Sequence, residues 1–283
     1  MRLTGLLAFV VVLSLAFCSP IFSLIAYAAA NSLHSHILLV PFISGYLIYL
    51  QRGVLPKSWQ CSPGWAALAL AIGLAAAGAA WRLRTGLSEG DSLSIVGFSF
   101  VSLLIAGGFL FLGRKWMAAA AFPVAFLYFF VPLPDVAVDW LETALKLGSA
   151  EAASLFFRMS GTPVFRDGVV FQLPGITLEV AQECSGIRSS LVLFITSIVA
   201  SHLLLKSPWR RAALLAVVIP LAILRNGFRI LVIGLLCVHI GPRMIHSVIH
   251  QNGGPLFFAL SLVPLFLLLW CLRKGEGRIS VEN

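Results

Sequence analysis

Three side chains of different chemistry stand at separated points of this chain: Cys184 in the run ECSGIRSS, Arg229 in RNGFRI and His250 in HQNGG. A thiol becomes a strong nucleophile once ionised, and a nearby cation or imidazole favours that ionisation. An imidazole accepts the thiol proton and can return it to a leaving amine. A guanidinium keeps its charge and offers a planar fork of donors, which suits a thiolate, an oxyanion or a carboxylate. Together these types describe cysteine nucleophilic catalysis. Arg225 falls one helical turn before Arg229, and Arg188 one turn after Cys184, so both are accessory candidates. Arg225 could equally be a structural partner for an acid such as Glu179 or Glu183. Ser185 adds a hydroxyl, but its neighbours do not make a G-x-S-x-G elbow.

The elements that must position these groups follow from composition. The chain has 283 residues, 59% of them apolar and 11% charged. Its mean hydropathy is +0.97, and a soluble domain carries roughly 25% charged residues. The expected fold is all-α and polytopic, a single integral membrane domain over 1–283. Eight apolar stretches are expected to cross the bilayer: near Leu3–Ala28, Ile37–Leu50, Trp65–Trp81, Leu93–Leu112, Trp116–Val131, Ser189–Leu205, Ala212–Val238 and Pro255–Leu272. A span takes about 20 apolar residues, so the second and fifth are short. The seventh is long enough to tilt or break. The opening MRLTGLLAFVVVLSLAFCSP resembles a signal peptide, with Cys18 at a lipoprotein-like position. Phe17 is a poor residue before such a cleavage and the apolar run resumes after Pro20, so an uncleaved first span is expected.

Charge sets the orientation. With the N-terminus inside, the inner loops hold Arg2, Arg52, Lys57, Arg114, Lys115, Lys206, Arg210, Arg211, Arg273, Lys274 and Arg278, against only Glu276 and Glu282 among acids. That is the positive-inside pattern, with both termini cytoplasmic. The basic residues are scattered anchors rather than a stripe, which argues against nucleic acid as a partner. Depth then follows by counting at about 1.5 Å per residue. Cys184 lies about 33 Å from Lys206, Arg229 about 27 Å from Arg211, and His250 about 34 Å from Arg273. The hydrocarbon layer is about 30 Å thick, so three groups on three spans are expected near the outer boundary. An ionisable residue inside a span is expensive, and Arg229 is functional by default.

Residues 132–183 form the one long polar interval, expected outside the membrane. Val136, Leu141, Leu145 and Leu147 alternate with Asp139, Glu142 and Lys146, as in an amphipathic helix lying on the bilayer. Turn residues then separate two short β-favouring runs, Val169–Leu173 and Ile176–Val180, which predict a small hairpin-like cap leading to Cys184. Cys18, Cys61, Cys237 and Cys271 lack polar neighbours and read as small packing residues. His246 and His250 are spaced i,i+4 but lack HExxH or a nearby acid, so no metal or other cofactor is expected.

These residues resemble the exosortase/archaeosortase family of multi-pass membrane transpeptidases. The resemblance is carried by ECSGIRSS at 183–190, RNGFRI at 225–230 and HQNGGPLFF at 250–258. It extends to SHILLVPFISGYLIY at 35–49, VPLPD at 131–135 and GTPVFRDGVVFQLPG at 161–175, over almost the whole chain. It implies a thioester-forming Cys184, an essential Arg229 in N-x-x-R, and His250; Arg225 is extra to that motif. It also implies secreted substrates with a C-terminal tripartite tail: a Pro-containing motif, an apolar span and a basic end. PEP-CTERM proteins of Gram-negative bacteria are the usual example, often beside exopolysaccharide loci. The expected location is the inner membrane with the site facing the periplasm. The expected acceptor is a lipid or glycan amine, or water if the reaction is hydrolytic. A substrate anchored by its own span meets a thiol at that height by restricted diffusion. The rival reading is a transporter or flippase component of exopolysaccharide export, with Arg225 and Arg229 binding an anionic headgroup.

Overall fold

The computed structural model describes residues 2–56, 60–83, 85–180, 185–246 and 253–279. The chain divides into two compact units, Met1–Val138 and Asp139–Asn283. Among the described residues, five helices are long and apolar enough to cross a membrane. The number rises to seven if each of two bent pairs counts as one span. The protein is therefore largely helical and polytopic, with one small sheet among the described residues.

In the first unit, α1 (Arg2–Ala16) and α2 (Cys18–Ala30) are bent by 72°. Pro20 has no N–H to return to Ala16, so the ladder loses a bond at the bend. The expected single first span is thus divided into two helices. A 3-10 turn, Ser35–Leu39, leads into α3 (Val40–Leu50), followed by α4 (Pro63–Leu83) and α5 (Glu89–Phe111). The stretch Trp116–Val131 is not one helix. It divides into the end of α6 (Arg114–Ala119), α7 (Ala121–Phe126) and a 3-10 turn at Leu127–Phe130. Pro123 again lacks the N–H that would bond to Ala119. α5 is the hub of this unit. Ser88 caps it by accepting the Asp91 N–H at 3.0 Å, and Glu89 and Asp91 occupy the positive end of its dipole. Ser99 Oγ donates to the Gly73 carbonyl of α4 at 2.8 Å, the kind of bond small residues allow between membrane helices.

At the head of α5, Asp91 accepts the Asp135 N–H at 2.9 Å, and Ser94 Oγ donates to the Pro132 carbonyl at 2.9 Å. Next to this end His34 is 2% exposed, with its ring 5.3 Å from Tyr27 and 6.5 Å from His36. Neither of its ring nitrogens has a hydrogen-bond partner among the described residues. Burial, and then the neighbouring His36, pull its imidazole below the usual range, while Asp135 acts in the other direction. The unfolded chain, titrating near 6.5, therefore takes up the proton first. The contribution of neutral His34 is full above that pH and is lost as pH falls below it. Lowering the pH from 7 to 5 is expected to reduce the melting temperature in detergent, and His34→Phe should remove a few degrees of that loss. An identical acid shift in the variant would refute this.

In the second unit, α8 (Asp135–Met159), which starts at the end of the first, buries Ser149, Ala150, Ala152, Ala153, Ser154 and Phe157. Its early turns leave Val136 and Trp140 exposed at 78% and 70%, with Asp139 exposed between them. The cap that follows has three strands rather than two: β1 (Phe165–Asp167), β2 (Val170–Leu173) and β3 (Ile176–Glu179). They are antiparallel in the order 1-2-3, with Arg166 opposite Phe171 and Phe171 opposite Leu178. The extra strand pairs through a turn at Gly168, whose φ of 59° suits glycine. Arg166 reaches back to Glu151 of α8 at 2.7 Å. Phe157, Phe171, Leu173, Leu178 and Val180 form the core between the cap and helix, with Ile230.

Among the described residues three α-helices follow: α9 (Ile187–Leu204), α10 (Pro208–His239) and α11 (Gly254–Ile279). α10 runs through Pro220 and Gly227 without a break. The turn between α9 and α10 is tied to the far end of α11. Glu276 accepts the Lys206 and Ser207 N–H groups at 2.8–3.1 Å, and Arg210 Nη1 donates to the Leu272 carbonyl at 2.7 Å. Arg211 donates twice to the Leu205 carbonyl, at 2.9 and 2.7 Å. Of the four cysteines expected to pack inside, only Cys237 is buried; Cys18, Cys61 and Cys271 are exposed. These three lie on helix surfaces or in a loop, where an apolar thiol faces out without conflict in a membrane protein.

Candidate active site

The turn that follows Cys184 is built on Gly186. Its φ of 75° is left-handed, a conformation glycine adopts without a Cβ penalty, and it caps the start of α9. Its carbonyl accepts the Ser190 N–H at 3.0 Å, Ser190 Oγ at 2.8 Å and Ser189 Oγ at 3.1 Å. Ser185 is 2% exposed, and its Oγ accepts the Ile187 N–H at 3.4 Å. The serines of ECSGIRSS therefore serve the turn itself.

α10 forms the wall behind this turn. Arg225, 7% exposed, directs Nη2 to Ser190 Oγ at 3.2 Å and to the Gly186 carbonyl at 3.4 Å. A Cβ on Gly186 would press on Asn226 and Arg225 at 3.1–3.2 Å, so the glycine is required by space as well as by backbone angle. Asn226, 3% exposed, donates Nδ2 to Ser149 Oγ of α8 at 3.0 Å. Gly227 then lets α8 approach closely, since a Cβ there would meet Ala152 Cβ at 2.6 Å and the Ala153 nitrogen at 2.9 Å. Arg229 is half-buried one turn further along α10.

Gly186 and the Lys206–Glu276 tie stand at opposite ends of α9, whose 18 residues rise about 27 Å. Arg225 meets the Gly186 end. Arg188, by contrast, is exposed on the first turn of α9, and His239 is exposed at the end of α10. Cys184 and His250 lie outside the described residues, as do Glu183 and the side chain of His246. Among the described residues, no three His, Cys, Asp or Glu side chains are grouped to hold a metal ion. Sequence reasoning passed over Asn226, Ser149 and Ser190. Asn226 carried a usable signal, because a carboxamide inside a 32-residue apolar helix must find a partner.

The fold describes a polytopic membrane protein with a braced polar turn where α9 begins. Residues 28–267 match the family model described as transmembrane exosortase (Exosortase_EpsH), and the chain belongs to that family. It is a membrane cysteine-type transpeptidase that acts on PEP-CTERM-like C-terminal sorting signals of secreted proteins, and a multi-pass inner-membrane protein. Comparison with curated proteins and with solved structures gives no match.

Proposed function

We propose that Cys184 is the nucleophile, with His250 and Arg229 as its partners. The Cys184 thiolate attacks the scissile peptide carbonyl, and the tetrahedral oxyanion collapses with cleavage of the C–N bond. His250 takes the thiol proton and gives it to the leaving amine, while Arg229 stabilises the oxyanion. The substrate is then held as an acyl thioester on Cys184. An acceptor amine, from a lipid or glycan, attacks that carbonyl; the C–S bond breaks and the thiol is restored. The observation that supports this reading is the Gly186 turn, two residues after Cys184, seated on the Arg225–Asn226 step of α10, one turn from Arg229.

The site faces the periplasm and both termini are cytoplasmic in this reading. Adding the short apolar helix Ser35–Leu50 to the seven spans gives eight crossings, an even number. Lys206, Arg210 and Arg211, gathered at the opposite end of α9 from Gly186, mark the inner surface. The two units act as one family domain, since the matched residues run across both.

The test is to trap the intermediate. Membranes carrying the protein are incubated with a tailed substrate, quenched in acid and analysed by mass spectrometry of the Cys184 peptide. An adduct on Cys184 that hydroxylamine releases is expected. Turnover with no such adduct, on any time scale down to the quench limit, would reject the thioester. The new C-terminus of the product separates transfer, seen as an adduct, from hydrolysis, seen as a free carboxylate.

A further inference from the structure

The three-stranded cap ends in an open edge. β3 pairs with β2 on one side, and the register fixes which of its backbone groups that pairing uses. Val180 donates its N–H to the Val169 carbonyl at 3.1 Å, so Thr177 and Glu179, which alternate with it, aim their N–H and C=O groups away from β2. Among the described residues neither makes a hydrogen bond through those groups, and both residues are exposed. Leu178 and Val180, the residues between and after them, are buried in the core beneath the sheet. β1, at the other edge, turns only Arg166 outward, and that side chain is tied to Glu151. β3 therefore presents four free backbone groups in a row, with no proline to blunt them. Such an edge is a template for one more strand.

We infer that the β3 edge binds the recognition segment of the substrate tail as a fourth, antiparallel strand. The inference deepens the proposed function and rests on its reading that the site faces the compartment where that segment lies. The hydrogen-bonding pattern of the ligand fits. The letters of a PEP-type signal read Pro-Glu-Pro. Proline has no N–H, so a sheet tolerates it only where its nitrogen faces away from the partner strand. Two prolines separated by one residue face the same side of an extended chain. The glutamate between them, and the residues flanking the pair, face the other side with N–H and C=O available. Laid along β3, the glutamate exchanges two bonds with Thr177, and the facing residue two positions along exchanges two with Glu179. This register keeps the substrate glutamate from lying directly opposite Glu179, where like charges would repel. The prolines then form the new outer edge, where no donor is needed. β3 is also the last described element before Cys184, which follows Glu179 by five positions in the chain. Recognition by main-chain bonds along a sheet edge suits a ligand that is stretched between a folded domain and its own span.

The experiment follows tail cleavage by the full chain in membranes with two synthetic tails. One carries Pro-Glu-Pro and an apolar span; the other is identical but methylated on the glutamate nitrogen. Loss of that one donor should raise KM about tenfold, with kcat changed much less. Thr177→Pro removes an outward N–H of β3 and leaves the β2–β3 ladder intact, so KM for the plain tail should rise by about the same factor. In that variant the methyl group should cost less than about threefold, because the strand it would disrupt no longer forms. Thr177→Val alters the side chain and keeps the N–H, so its KM should rise far less than that of Thr177→Pro. A methylated tail cleaved with the KM of the plain tail overturns the inference. Equal rises in Thr177→Val and Thr177→Pro, or a methyl effect undiminished in Thr177→Pro, overturn it as well. Should Thr177→Pro fail to fold, disulfide capture decides. With the five native cysteines replaced, Thr177→Cys should trap a tail that carries cysteine in place of the motif glutamate, whereas Phe165→Cys on the opposite edge should not. Equal capture at both positions refutes the added strand. Cleavage by Cys184→Ala is scored separately. Persistent cleavage there removes Cys184 as nucleophile and leaves the KM pattern standing. Lost cleavage there, with no methyl effect in the parent, removes only the role given to β3.

Discussion

Replacing Cys184 by alanine is expected to abolish removal of the C-terminal tail, with a loss of ~10⁴-fold or more in rate. The thiolate is the group that forms the new bond, so no neighbouring residue can substitute for it. Ser185 is the nearest hydroxyl in sequence, but it is buried and already accepts the Ile187 N–H. Cys184→Ser should fare little better, because an alcohol does not ionise near neutral pH and the site would have been built around a softer, readily ionised atom. The chain should still insert, since one small side chain next to the Gly186 turn does not alter the apolar stretches that direct insertion. The measurement is the ratio of tailed to processed substrate in cells expressing equal amounts of each variant. Processing within a few-fold of the parent would eliminate the proposed mechanism and leave only the family's fold.

The second large effect is expected at Gly227. A Cβ there would overlap Ala152 and the backbone nitrogen of Ala153, and backbone cannot step aside as a flexible side chain can. Gly227→Val must therefore push α8 and α10 apart. The cost of such overpacking is about 1–3 kcal/mol, and the melting temperature should drop by several degrees. The consequence for chemistry is larger than for stability. Asn226 is the adjacent residue, and its 3.0 Å bond to Ser149 would lengthen beyond a hydrogen bond. Arg225 and Arg229 flank Gly227 on the same helix, so both cations would shift relative to the Gly186 turn. A misplacement of about 1 Å is enough to cost on the order of 10²-fold in rate. Tail cleavage should therefore fall much further than folded yield. If Gly227→Val cleaves as the parent does at matched folded protein, the packing of α8 on α10 does not position the site.

The charged and apolar pattern alone made the membrane class legible, because a chain with so few charges cannot cover itself in water. The apolar run also foretold the length of α9, and Gly186 and Arg225 meet at the end of that helix remote from Lys206. The motifs ECSGIRSS and RNGFRI were visible as polar steps in apolar surroundings, and Gly186 and Ser190 of the first meet Arg225 of the second. The strands β2 and β3 were readable from their turn residues, whereas β1 was not. Phe165–Asp167 is too short and too polar to stand out, and becomes a strand only by pairing with β2.

What the sequence determined by itself was therefore one-dimensional: which segments are apolar, where the basic residues fall between them, and how far along the chain each reactive group lies. Those follow from transfer between water and lipid, which acts residue by residue. Tertiary structure alone decided that the serines after Cys184 are absorbed by their own turn, that Arg188 faces outward while Arg225 is enclosed, and that Asn226 spends its amide on Ser149. It also decided where the first and fifth apolar stretches bend. Such outcomes depend on the direction of donors and the closeness of backbones, quantities that arise only when two helices share one space and that no count along a single chain contains.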